Sequence, residues 1–286
     1  MSGAASAPAP RRTIGERALS PIADVRQDEV ASALLLTLIM FLILAGYYML
    51  KTAREVFILG EGGAEVKSYS AAGQAILLLG LVPAYGAFAS RVSRIQLVQW
   101  VTLFFASHLA LFLMALSAGW QIGVPYFLWL GIFNLMVIAQ FWAFANDLYT
   151  PEQGKRIFPL IGVGSSLGAW VGSVRAGQVV TSIGTERLLL AGAIILVICA
   201  FLARLVYAMR PRREHSKAAD DKPLEAGSGF GMIFSDRYLM LIAALAVLLN
   251  VVNTTGEYLF GRYVVDMANA THGTGPEAAA ARGQLL

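Results

Sequence analysis

A chain of 286 residues that is 57% hydrophobic and only 14% charged, with a mean hydropathy of +0.63, holds more apolar side chain than one soluble core absorbs. A soluble enzyme is excluded. The formal charge of +4 calls for no nucleic-acid partner, because the basic residues of a membrane protein collect in its cytoplasmic loops.

Residues 1–30 are rich in Ala, Ser and Pro and carry Arg11, Arg12, Arg17 and Arg26. They lack the apolar stretch and cleavage site of a signal peptide and read as a polar tail. Apolar runs follow at 31–50, 71–90, 97–117, 124–146, 158–182, 187–209 and 238–265. Each suits a helix crossing a hydrocarbon layer of about 30 Å, and none alternates as a barrel strand would. Seven transmembrane helices in an all-α membrane bundle are predicted. With the N-terminus inside, inner segments carry fifteen Lys and Arg against six in outer segments, so a cytoplasmic N-terminus is predicted.

The first run does not stop at its charges. Apolar residues resume after Lys51, Arg54 and Glu55, which predicts a helix from about Ala31 to Leu59 with all three on one face. Charges embedded in a span usually face a bundle interior or a water-filled cavity. A cationic pair with an acidic neighbour suits an anionic substrate, Arg54 offering a planar fork to phosphate or carboxylate. The alternative is an interfacial position, with Lys51 and Arg54 snorkelling toward water.

Between the second and third runs, Gly86 is followed by Ser90, Arg91 and Arg94, a turn in which the two arginines are candidate gating residues. The fourth run ends in Phe141-Trp142-Ala143-Phe144-Ala145-Asn146-Asp147, followed by a polar turn with Glu152, Lys155 and Arg156. Asn146, Asp147, Lys155 and Arg156 are expected to form a cytoplasmic gate or solvated loop. In the fifth run Gly164, Gly168, Gly172 and Ala176 recur at every fourth position, the spacing that lets helix backbones approach closely. Arg175 in the same run is a candidate substrate ligand, with Glu257 as its expected partner. An isolated His108 reads as a hydrogen-bonded packing residue, and Cys199 as a small hydrophobe between helices.

A long charged segment at 210–237 follows six spans, and the seventh, at 238–265, holds Asn253 and Glu257 as further binding candidates. Six helices, a cytoplasmic linker and a helix opening a new block are the layout of a two-half transporter. The expected organisation is therefore a tail (1–30), an N-terminal six-helix bundle (31–209), the linker (210–237), the seventh helix (238–265) and a loop (266–286) that reads as truncated. No catalytic residue, metal site or cofactor is expected, since no span gathers metal ligands or a nucleophile with a base.

The turn at Gly86–Arg94 resembles the loop motif of the major facilitator superfamily, with Ser90 at its acidic position. More specific is Phe-Trp-x-Phe-Ala-Asn at 141–146 with a short loop ending in Lys155-Arg156 and a Gly-rich helix. It resembles the ATP:ADP antiporter family of nucleotide transporters of plastids and intracellular bacteria, as does Tyr47-x-x-Leu50-Lys51-x-x-Arg54-Glu55. The resemblance implies a major facilitator-type bundle that exchanges ATP and ADP by alternating access. It places Arg54 at a basic substrate position, with Glu55 as its acidic neighbour. It also implies residence in a bacterial inner membrane, with the bilayer, an anionic substrate such as ATP or ADP, and remaining C-terminal helices of the same protein as partners. Nucleotide exchangers of the family carry an acid in the fourth helix, which is missing between Val124 and Asn146. Their seventh helix has an acid followed closely by Lys, where this chain has Asn250, Asn253 and Glu257. A non-nucleotide solute and a transport-inactive scaffold stay open as alternatives.

Overall fold

A computed structural model describes residues 23–209 and 234–272, apart from residues 24 and 90. The segment 210–233 and the ends of the chain, which include most of the expected linker, lie outside the described residues. The described residues form five helical elements: α1 (Val30–Ala89), α2 (Arg94–Ser117), α3 (Gly123–Leu148), α4 (Pro151–Ala208) and α5 (Arg237–His272). Six helices are long and apolar enough to cross a membrane, counting Pro151–Gln178 and Gly184–Ala208 of α4 separately. The protein is an all-α, multi-pass integral membrane protein.

At 1.5 Å per residue the 60 residues of α1 would extend about 90 Å, some three times the hydrocarbon thickness. The helix instead breaks at Gly63, whose φ of 70° and ψ of −171° lie outside the helical region and suit a residue without Cβ. Contacts with α3 show that the chain folds back there. In the first arm Phe57, Tyr47 and Ser32 meet Tyr126, Phe133 and Tyr149 in turn, so this arm runs antiparallel to α3. Beyond Gly63 the order reverses: Glu61 beside the break meets Gly123, and Gln74 meets Gly131. The arms are antiparallel to each other, and the fold-back makes seven membrane-length segments. Gly184 (φ 80°, ψ 166°) breaks α4 in the same way. The connection between the first two apolar runs is thus a single-residue break.

Local sequence explains where α4 begins. Thr150 caps it by accepting from the Gln153 N–H at 3.4 Å, while the Gln153 side chain accepts from the Thr150 N–H at 2.9 Å. Pro151 in the first turn needs no amide partner, and Glu152 suits the positive end of the helix. Lys155 and Arg156, expected in a loop, are therefore helical. α3 lacks a capping side chain of its own, and Glu61 at the fold-back supplies one. Its carboxylate accepts the N–H groups of Ile122 (3.0 Å) and Gly123 (2.6 Å).

Two packing devices hold the bundle. On α3, Tyr126, Trp129 and Phe133 stack on one face and meet Phe57, Phe105, Phe112 and Tyr47. On α4, a Cβ at Gly164, Gly168 or Gly172 would lie 2.7, 2.3 or 2.5 Å from the carbonyl oxygens of Thr37, Phe41 and Ala45. The glycine stripe runs backbone to backbone along the first arm of α1. Cys199, also buried, points its thiol at the Ile39 carbonyl 3.9 Å away.

Gly168→Val should therefore force the two helices apart and cost about 1–3 kcal/mol, the usual penalty of overpacking. Gly162→Ala, on the same helix but with open space around it, should be neutral or stabilising. Thermal unfolding in detergent compares the two.

Candidate functional site

Arg54 and Glu55 of the first helix lie inside the bundle. Arg54 is 8% exposed, about two and a half turns before the Gly63 fold-back, and its neighbours Leu50, Ala53, Phe57 and Ile58 are buried. Its guanidinium donates to Glu55 Oε1 through Nε at 3.1 Å and through Nη2, and its Cζ lies 4.6 Å from the centre of the Phe127 ring. Glu55 is held from the other side by Lys67, on the second arm of α1, at 2.8 Å. Lys67 also reaches Glu257 of α5 at 3.5 Å, and Asn253 donates to that carboxylate at 3.5 Å. The side chains of Arg54, Glu55 and Lys67 are only 10–13% exposed, whereas that of Glu257 is 40% exposed.

The arrangement is an alternating line of charge, Arg54, Glu55, Lys67, Glu257, at the meeting of the two arms of α1 with α3 and α5. Burial makes each attraction stronger than in water and each unpaired ion costly. Lys51 stands apart. It lies 5.9 Å from the centre of the Tyr48 ring, half-buried, and among the described residues it makes no ion pair. Two acids thus balance Arg54 and Lys67, and Lys51 is a half-buried cation outside that line.

The remaining candidates divide between two places. Arg175 is exposed on the flank of α4 and donates to Gln178 at 3.4 Å. Its expected pairing with Glu257 is overturned, because Glu257 engages Lys67 instead. The reason is helical phase: Ala176 faces the packed interior, and Arg175 projects about 100° away from it around the helix. The loop residues gather at the end opposite the fold-back. Arg94 pairs with Asp147 at 2.6 Å and Arg156 with Glu29 at 3.1 Å, while Arg91, Asn146 and Lys155 are exposed. Ser90 lies outside the described residues.

Three acidic and basic residues escaped the sequence reading. Glu29 is 4% exposed and gathers Arg156, Gln153 (2.7 Å) and the Arg26 N–H (3.1 Å). Beside it Ser32 and Tyr149 share a 2.8 Å hydrogen bond, and burial raises the Tyr149 hydroxyl above the ordinary tyrosine range, which keeps it neutral. Glu61 and Lys67 flank the Gly62-Gly63 pair. That pair was the available signal: adjacent glycines in a run of charges between two apolar runs mark a reversal, and a reversal returns Lys67 to the level of Glu55.

An all-helical bundle that sets a compensated line of ions between its helices, with one unpaired cation a turn away, is the construction of a membrane carrier for a charged solute. The model of the TLC ATP/ADP transporter family matches residues 112–260, more than half of the chain. The protein belongs to that family. No curated protein and no solved structure matches it.

Removing Glu55 strands the buried Arg54 and leaves Lys67 only its longer bond to Glu257, whereas removing Lys51 strands nothing. Glu55→Gln should lose about 3–5 kcal/mol, the usual cost of breaking a buried pair from one side. Lys51→Gln should unfold within about 0.5 kcal/mol of the parent, as surface-like substitutions do. Thermal unfolding of both purified variants reads the difference.

Proposed function

We propose that the protein is a secondary transporter that exchanges ATP for ADP by alternating access. Membership of the TLC ATP/ADP transporter family supports this reading. The observation that carries it is the spare cation: Lys51 lies one turn from Arg54 on the first arm of α1, without an acidic partner among the described residues. A phosphate chain entering the bundle would replace the missing counter-charge, Lys51 attracting it as a point charge and Arg54 supplying directed N–H donors. Glu55 holds Arg54 against the Phe127 ring and sets its orientation. Asn253 and Glu257 bring the seventh helix to the same place. Arg175, on the flank, acts as a binding residue only if another part of the protein covers it.

In the same reading residues 31–209 are a six-helix, major facilitator-type half, joined by a cytoplasmic linker at 210–237 to a second half that begins with α5. The N-terminus is cytoplasmic, in a bacterial inner membrane. The turns around Arg91, Arg94, Asn146, Asp147, Lys155 and Arg156 form the cytoplasmic gate, with Arg94–Asp147 and Arg156–Glu29 as its ion pairs. Arg94 finds its acid on α3, where the loop motif itself offers Ser90. Exchange makes and breaks no covalent bond, so the site needs binding groups and no catalytic ones.

A second cargo, another organic anion, is favoured by one observation: α3 carries no acid from Val124 to Asn146, and its polar residues there are neutral, among them the buried Gln140.

Vesicles containing the full-length protein and loaded with ADP should take up labelled ATP. Lys51→Gln should slow that uptake by about tenfold or more, the worth of one charge-assisted contact. Uptake of sugar phosphates or carboxylates without any nucleotide uptake would favour the second cargo. A correctly inserted protein that moves no solute would overturn the transport reading.

A further inference from the structure

Among the described residues, the seventh helix touches the other helices at one end only. Leu241, Leu245, Leu248, Leu249 and Val252 in its first half are exposed, and its contacts come from the turns that follow. Tyr258 packs on the Ile58, Leu59, Ala64 and Phe127 cluster, a Cβ placed on Gly261 would lie 3.8 and 3.7 Å from the side chains of Leu59 and Ala64, and Val264 is buried. All of these partners lie at or near the Gly63 fold-back. Glu257 stands on the same side of the helix, and its bond to Lys67 is the one ion pair between α5 and the other helices among the described residues.

Lys67 holds its two acids unequally. The bond to Glu55 is 2.8 Å and joins side chains 12–13% exposed, whereas the bond to Glu257 is 3.5 Å and reaches a carboxylate 40% exposed. An entering anion therefore meets a bridge whose strong half lies inside the first helix hairpin and whose weak half crosses to α5. A phosphate chain presents several charged oxygens at once and outcompetes a single, partly hydrated carboxylate for an ammonium.

The geometry points to Lys67 as a positioning residue that couples occupancy to movement: in the empty protein it latches α5 to the fold-back, and the phosphates of the substrate displace Glu257 from it and free the helix. This rests on the nucleotide-exchange reading and explains how such a carrier avoids leaking. When the nucleotide leaves, Lys67 returns to Glu257 and the empty protein is held shut at this end. The carrier moves across only with cargo, so exchange is favoured over net flow. Lys51 and Arg54 attract the anion, and Lys67 reports its arrival to the other half.

The full-length protein in vesicles loaded with labelled ADP separates the two roles. Efflux is measured into buffer with ATP outside, which reads exchange, and into buffer without nucleotide, which reads net flow. Lys67→Gln should raise the ratio of net flow to exchange by about fivefold or more, the lower range of a coupling between two sites. Lys67→Arg, which keeps the charge, should stay near the parent ratio. Glu257→Gln cuts the same bridge from the other helix and should also raise the ratio, a reading that survives if Lys67→Gln fails to insert. A parent protein that exchanges nucleotide while Lys67→Gln and Glu257→Gln keep its ratio would overturn the latch alone. A Lys67→Arg variant that leaks as much as Lys67→Gln would do the same. A parent that exchanges no nucleotide would overturn the transport reading and the latch with it.

Discussion

The structure depends on the backbone contact between α4 and the first arm of α1. In lipid there is little hydrophobic drive to bring helices together, so close packing must do it. Gly164, Gly168 and Gly172 remove the side-chain layer over three successive turns, and the carbonyls of Thr37, Phe41 and Ala45 fill the space. That contact fixes the rotation of the first helix about its axis. Once residues 37–45 are seated, the helix has no freedom left to choose where residues 50–55 point. Leu50, Ala53 and Arg54 turn inward, and Tyr126 donates to the Leu50 carbonyl at 3.3 Å from α3.

The buried ions follow from that rotation. An arginine carried inward on a rigid helix must be compensated where it lands, and Glu55 is the nearest group able to do so. Glu55 gains a second cation from Lys67 because the fold-back at Gly63 brings the second arm down beside the first. The same reversal places Glu61 at the start of α3, where it satisfies two amides and meets the positive end of that helix. One glycine break thus sets a capping interaction, an ion pair and, through Glu257, the attachment of the seventh helix.

The two ends of the bundle are built differently. At the fold-back end Arg54, Glu55, Lys67 and Glu257 form one connected line that is buried except at Glu257. At the other end they form separate pairs, Arg94–Asp147 and Arg156–Glu29, with Arg91, Asn146 and Lys155 exposed around them. Exposed pairs contribute little to stability and exchange partners readily. Glu29 differs, since it is buried under three donors and ties the approach to α1 onto the first turn of α4.

Much of this was readable along the chain. Apolar runs long enough to cross a bilayer determine helices, because lipid offers no partner to an unpaired backbone amide. Their composition and length settled the all-α membrane class, and the strings around Arg54 and Phe141–Asn146 pointed to the family. Glycines at every fourth position named a helix face, and charges at i, i+3 and i+4 named another, since both rest on the fixed period of the helix. What needed the tertiary structure was every pairing between segments distant in sequence. Arg175 and Glu257 are both ions in apolar runs, and nothing in their neighbourhoods tells which is turned inward. Lys67 reads as a loop charge until the chain is seen to reverse at Gly63. A helix reports its own faces through its period, but which face meets which depends on the rotation and stagger of neighbouring helices, and those are set only when the backbones pack.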